Sequence, residues 1–277
     1  MKILLGFTIT LLLMISTPLA KASDSWTLYD DFNSKFLDID NWTASEYTTG
    51  GVVILEGVRE IEGHRLYVRT RTHGPTWDDG NLQRGDNRII FPNPKADSIL
   101  GIKASIKVNE IEVTQCPYDE QPTRAWARVQ GYFFKEVDCS DPTVYQCQGS
   151  NNSVGAQIRI ERVSNSQDPE GILRIVGIIF RCDDPNCFST YVYYNETLGT
   201  IRVGQWATVS LEWNPGSNQF IFQLGKEQPQ EFSYPYPGSI YPATGTFKAI
   251  GTISRFPYCS ERQIALIGVD FDKVFTK

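Results

Sequence analysis

Val209-Ser210-Leu211-Glu212-Trp213 runs into Asn214-Pro215-Gly216-Ser217-Asn218 and re-emerges as Phe220-Ile221-Phe222-Gln223-Leu224. Val209, Leu211 and Trp213 share one side of an extended chain while Ser210 and Glu212 share the other, which is the pattern of a strand with one wet face. The turn formers between the two runs reverse the chain and make them an antiparallel hairpin. The same period of two recurs in both directions from here. Leu66, Val68 and Thr70 alternate with Arg65, Tyr67, Arg69 and Arg71; Ile102, Ala104, Ile106 and Val108 alternate with Lys103, Ser105 and Lys107; Ala156, Ile158 and Ile160 alternate with Gln157, Arg159 and Glu161. Ile172 to Phe180 and Ile264 to Val274 are more continuously apolar, as strands covered on both faces are. No window of helical length carries an apolar stripe, and turn-forming stretches at 49–51, 92–94, 168–171 and 234–238 separate the runs. The prediction is an all-β chain of about a dozen short antiparallel strands in two packed sheets, a jelly-roll sandwich.

The 277 residues fit one large core, and no linker or internal repeat divides them. Lys2, the apolar run Ile3 to Ile15, Pro18 and the small-x-small step Ala20-Lys21-Ala22 form a secretory signal peptide over 1–22, with residues 23–277 as the sandwich domain. The competing reading, a membrane anchor, needs a longer span of roughly 20 apolar residues. A net charge of −6 argues against nucleic acid and anionic lipid as partners. All six cysteines follow the leader, an even number that suits a secreted, periplasmic or extracellular protein. Zinc competes for them weakly, since no Cys-x-x-Cys pair exists. Fifteen pairings are open. Cys182 and Cys187 bracket the turn former Asp-Asp-Pro-Asn, Cys139 and Cys147 can close a second short loop, and this choice leaves Cys116 with Cys259.

Tyr29-Asp30-Asp31-Phe32, Leu37-Asp38-Ile39-Asp40-Asn41-Trp42, the Leu211-Glu212-Trp213-Asn214 hairpin and Gly268-Val269-Asp270-Phe271-Asp272-Lys273-Val274 together resemble the concanavalin A-like lectin/glucanase superfamily of jelly rolls. The resemblance implies a curved double sheet whose first and last strands lie side by side, which would satisfy both terminal edges. It also implies a structural calcium ion near those ends, for which Asp31 with Asp270 or Asp272 are the matching positions; no other cofactor is implied.

Laminarinase-type glucanases of this fold carry Glu-x-Asp-x-x-Glu on one strand. The nearest approach here is Glu110-Ile111-Glu112-Val113-Thr114-Gln115, where glutamine stands at the position of the acid and cannot cycle a proton. Alginate-lyase-like jelly rolls use Arg-x-Glu-x-Arg and Gln-x-His strands; Arg124-Ala125-Trp126-Ala127-Arg128 and Gln157-Ile158-Arg159 have that outline, with Trp126 and Arg159 in place of the glutamate and the base. No catalytic residue is therefore assigned. Alternation instead groups Arg124, Trp126, Arg128, Gln130 and Tyr132 on one face, with Gln157, Arg159 and Glu161 on a neighbouring strand. Aromatic rings and planar hydrogen-bonding groups of this kind suit a carbohydrate, an acidic one included. The expected function is a secreted carbohydrate-binding sandwich that does no chemistry. The alternatives are a polysaccharide-degrading enzyme, hydrolase or lyase, with a divergent site, and a structural or adhesive envelope protein.

Overall fold

The computed structural model describes residues 25–77, 83–117, 121–141, 143–235, 238–242 and 247–277. The leader assigned to 1–22 lies outside them. In chain order the strands are β1 (Thr27–Asp30), β2 (Thr43–Thr49), β3 (Val53–Glu62), β4 (Arg65–His73), β5 (Arg84–Ile90), β6 (Gly101–Val113), β7 (Arg124–Lys135) and β8 (Ser153–Val163). They continue as β9 (Ile172–Cys182), β10 (Thr190–Arg202), β11 (Trp206–Asn214), β12 (Gln219–Leu224), β13 (Gln230–Ser233), β14 (Tyr241–Pro242), β15 (Lys248–Arg255) and β16 (Ile264–Thr276). One helical turn, α1 (Lys95–Ser98), precedes β6. Sixteen strands among the described residues exceed the expected dozen, because β1, β13 and β14 are too short, and β2 too polar, to show a period in sequence.

The strands form two antiparallel sheets in a jelly-roll sandwich. One has the order β13-β12-β11-β6-β16-β4-β3 and the other β10-β9-β8-β7-β15-β5-β2, with β14 alongside β7. β1 pairs with the end of β16 through Thr27 opposite Thr276, so the first and last strands do lie together. The hairpin is β11–β12, in register from Val209 opposite Leu224 to Asn214 opposite Gln219. Its turn is held by Asn214, whose Oδ1 accepts the backbone N–H groups of Gly216 and Ser217.

One hydrophobic cluster fills the space between the sheets. Ile102, Ala104, Ile106 and Val108 of β6 and Val209, Leu211 and Trp213 of β11 meet Ala125, Ala127 and Val129 of β7 and Val154, Ala156, Ile158 and Ile160 of β8. Each fully buried aliphatic or aromatic side chain here contributes about 1.5–3 kcal/mol. Two hydroxyl pairs cross the same interface, Thr70 with Thr252 at 2.6 Å and Thr72 with Ser254 at 2.7 Å, which fixes how β4 lies over β15. Disulfides join Cys116 to Cys259, Cys139 to Cys147 and Cys182 to Cys187. Among the described residues no helix is long and apolar enough to cross a membrane.

A candidate active site on the second sheet

The core claims one side of β7 and β8, so strand alternation sends Arg124, Trp126, Arg128, Gln130 and Tyr132 to the other side, together with Gln157, Arg159 and Glu161. Register sets Trp126 opposite Glu161, Arg128 opposite Arg159 and Gln130 opposite Gln157. Across β15 on the other flank, Arg124 faces Arg255 and Arg255 faces Arg84, and Trp126, Ile253 and Asp86 form the next row. A pocket opens on this face, lined by Arg84, Trp126, Gln130, Tyr132, Gln157, Arg159, Ile253 and Arg255, with Ile178, Phe180, Cys187 and Phe188 closing one side.

Two loops make this face a pocket rather than an open platform. The Cys182–Cys187 disulfide pins the connection between β9 and β10, and Phe188 at its end stacks on Tyr47 of β2 with ring centroids 6.5 Å apart. β9 and β2 lie far apart in the sheet order, so this connection arches over the hollow. Phe247 covers a second region, against Tyr132 and over the guanidinium groups of Arg88 and Arg128.

Beneath the pocket lies an ion cluster. Asp86 and Arg128 are both fully buried, and Arg128 Nη2 donates to both carboxylate oxygens at 2.8 and 2.9 Å while its Nη1 donates to Gln130 at 2.6 Å. Arg84 donates to the same carboxylate at 2.7 Å. Burial alone would raise the Asp86 pKa, but Arg128, Arg84 and Arg88 outweigh it and hold the carboxyl below the usual range. Burial pushes Arg128 down to about 10 against the pull of Asp86. Gly251 makes this geometry attainable. It stands between Arg128 and Arg88 in the register at a φ of +147°, and a Cβ there would meet the Asn87 carbonyl oxygen at 2.3 Å, so glycine lets β15 lie this close to β5, the strand that carries Asp86.

The structure thus separates the eight residues grouped from sequence. Trp126, Gln130, Tyr132, Gln157 and Arg159 line the pocket, whereas Arg124 and Glu161 line an adjoining depression that shares Arg159 and adds Arg174 and Glu196. Arg128 is corrected from a ligand contact to a foundation, since its charge is spent on Asp86 and no part of it reaches the surface. Trp126 is corrected from an open stacking platform, because it is 4% exposed and the Arg159 guanidinium lies 4.5 Å from its ring centroid. Sequence reading missed Arg84, Asp86, Arg88 and Arg255. The alternation Arg84-Gly85-Asp86-Asn87-Arg88 carried that signal.

Glu161 is 8% exposed, and its Oε2 has no hydrogen-bond partner in the protein. Gln157, Arg159 and Glu161 alternate along β8, and Glu161 is the one carboxylate of the three. The Glu110-to-Gln115 stretch lies instead at the end of β6 in the opposite sheet, where Glu110 is engaged by Arg69 at 2.6 Å and by the Tyr67 hydroxyl at 3.2 Å. Of the calcium candidates, Asp270 is neutralised by Lys107 at 2.7 Å and opens onto a different pocket from Asp31, whereas Asp31, whose Oδ1 accepts the backbone N–H of Asn33, and Asp272 line one pocket together. Among the described residues no three His, Cys, Asp or Glu side chains cluster closely enough to hold a metal ion.

No family model matches the sequence, and no curated protein matches it. Solved structures do. A non-specific endo-β-1,3(4)-glucanase of glycoside hydrolase family 16, SCLam, superposes with a TM-score of 0.52 at 15% identity, over 94% of this chain and 93% of that one. This is the concanavalin A-like lectin/glucanase fold. A family 16 endo-glucanase from Bacteroides ovatus, in complex with G4G3G-2F-DNP, matches at 15% identity and a TM-score of 0.42, over 87% of this chain and 98% of that one. An endo-β-galactosidase from Clostridium perfringens that releases GlcNAcα1-4Gal matches at 12% identity and a TM-score of 0.45, over 92% of this chain; the present sandwich spans 64% of its length. SCLam is a glycoside hydrolase, and the likeness to it overturns the expectation of a carbohydrate binder without chemistry in favour of the enzymatic alternative.

Proposed function

We propose that the protein is an exported polysaccharide-degrading enzyme, most simply a glycoside hydrolase, whose substrate lies across the pocket and the adjoining depression of the second sheet. The observation that carries this reading is Glu161, a nearly buried carboxyl group with an unpartnered oxygen, which lines the depression two residues along β8 from Arg159, the side chain common to both hollows. A side chain so placed can pass a proton to or from a glycosidic oxygen once substrate excludes water. Hydrolysis ordinarily uses two carboxyl groups flanking the bond. Asp86 is unsuited to be the second, because its carboxylate is saturated by arginines and two strands, β15 and β7, lie between its strand and that of Glu161. Glu196, across the depression, is the carboxylate available for that role. The three disulfides support export to an oxidising compartment, in keeping with the leader expected from sequence at 1–22.

The test is a panel of soluble polysaccharides assayed for new reducing ends and for absorbance from unsaturated sugars. Wild type should cleave at least one polymer, and Glu161→Gln should lower kcat about 100-fold or more with an unchanged Tm. Full activity in Glu161→Gln, or intact polymer across the panel, would overturn the reading.

A further inference from the structure

Arg84, Arg255 and Arg124 stand directly opposite one another across β5, β15 and β7, a single cross-strand row of like charge. Such a row destabilises a sheet unless something of opposite charge settles on it. Arg84 shares Asp86. Arg124, Arg159 and Arg255, however, form no salt bridge among the described residues, and Arg159 leans over Trp126 towards the same pocket. The donors left over point the same way. The Nε atoms of Arg84 and Arg159 and the indole Nε1 of the buried Trp126 are all enclosed without a partner, and each belongs to a residue that lines the pocket. Gln130 and Gln157, both buried, stand in the wall beside them. This concentration is local, because the chain as a whole carries a charge of −6. Burial, with crowding among these cations, also depresses the Arg159 and Arg255 pKa values, and the nearby Glu161 carboxylate only partly offsets this at Arg159.

We propose that this pocket takes an anionic substituent of the polysaccharide, a sugar carboxylate or sulfate ester, held between Arg84, Arg159 and Arg255. Planar guanidinium groups bind either anion through paired hydrogen bonds. The pocket encloses about 90 Å³. That is well short of the roughly 300 Å³ at which a cleft buries a whole drug-sized ligand, and it matches a charged group inserted from a sugar whose ring stays outside. The inference rests on the enzymatic reading for where the polymer lies, and it names the substrate class of that same site.

Binding is measured on the full-length wild type, separately from cleavage, by calorimetry with two matched sets of oligosaccharides. One set pairs polygalacturonate oligomers with their methyl esters, and the other pairs a sulfated galactan oligomer with its desulfated form. The charged member of at least one pair should bind about 10- to 100-fold more tightly than its neutral partner. The set that shows the difference identifies carboxylate or sulfate. The exposed Arg255, changed to Gln, should remove most of that difference with an unchanged Tm. Equal affinity for charged and neutral members in both sets, no binding to any of them, or an unaltered Arg255→Gln would each overturn the inference. Charged-ligand binding without cleavage leaves it standing and removes the enzymatic reading, whereas cleavage of a neutral glucan with Arg255→Gln unaffected does the reverse.

Discussion

Asp86 and Arg128 show what a single residue pair can decide. Two charges with no exposure are tolerated because each neutralises the other, and Arg84 and Gln130 add one hydrogen bond to each, which leaves the Arg128 Nε unpartnered. Asp86→Ala would leave Arg128 buried without its counter-ion and should cost about 3–5 kcal/mol, read from the urea midpoint. The double change Asp86→Ala with Arg128→Met should cost less than Asp86→Ala alone, since no orphaned charge is left; an equal or larger loss would show that the pair is not coupled. Because the folded Asp86 pKa is depressed, the pair contributes its stability above the ordinary carboxylate range and loses it as pH falls through the folded value. Strand alternation placed Arg128 on the correct face. Its partner, 42 residues earlier in the chain and two strands away, left no local mark in the sequence, which is why a ligand contact was expected where a foundation was found.

Lys248 operates between elements. Its ammonium group, carried by β15, donates to the Ala96 carbonyl of α1 and, at 3.0 Å, to the Tyr132 carbonyl of β7, so one side chain ties a helical turn to two strands. Burial presses its pKa down from 10.5 to about 7. The unfolded chain keeps the proton up to the higher value, so unfolding takes up a proton between the two, and stability should rise as pH climbs from about 7 to about 10.5. Urea midpoints across that window should rise more steeply for wild type than for Lys248→Met; parallel curves would show that the group titrates normally. β9 illustrates what sequence made legible at this scale. Its continuous apolar run read as a strand covered on both sides. Leu173, Ile175 and Ile179 do enter the core, while Val176, Ile178 and Phe180 pack with Tyr132 on the hollow side. What covers that second side, the arch carrying Phe188, depends on a disulfide-pinned connection and on the distant Tyr47, and no period in the sequence encodes it.

At the scale of the molecule, Cys116–Cys259 closes a stretch of 143 residues that contains every strand from β7 to β15. In the chain-entropy description a loop of that length contributes about 5 kcal/mol and the two short loops about 2 kcal/mol each. Replacing Cys116 and Cys259 with Ser should therefore lower the denaturation midpoint about twice as far as replacing Cys139 and Cys147; equal losses would mean that the long cross-link does not restrain the unfolded chain. The two-sheet architecture was the most legible feature of all, because alternation is repeated in strand after strand and one misread element does not change the sum. The chemistry was the least legible, because it lies in a few side chains gathered from β5, β7, β8 and β15. The pairing of β1 with the tail of β16 bears on handling as well as on stability. With Thr27 beside Thr276, an affinity handle or carrier protein joined directly to β1 or to β16 departs from the same corner, on the layer opposite the arginine-lined mouth, so immobilisation by that route leaves the mouth facing the solution.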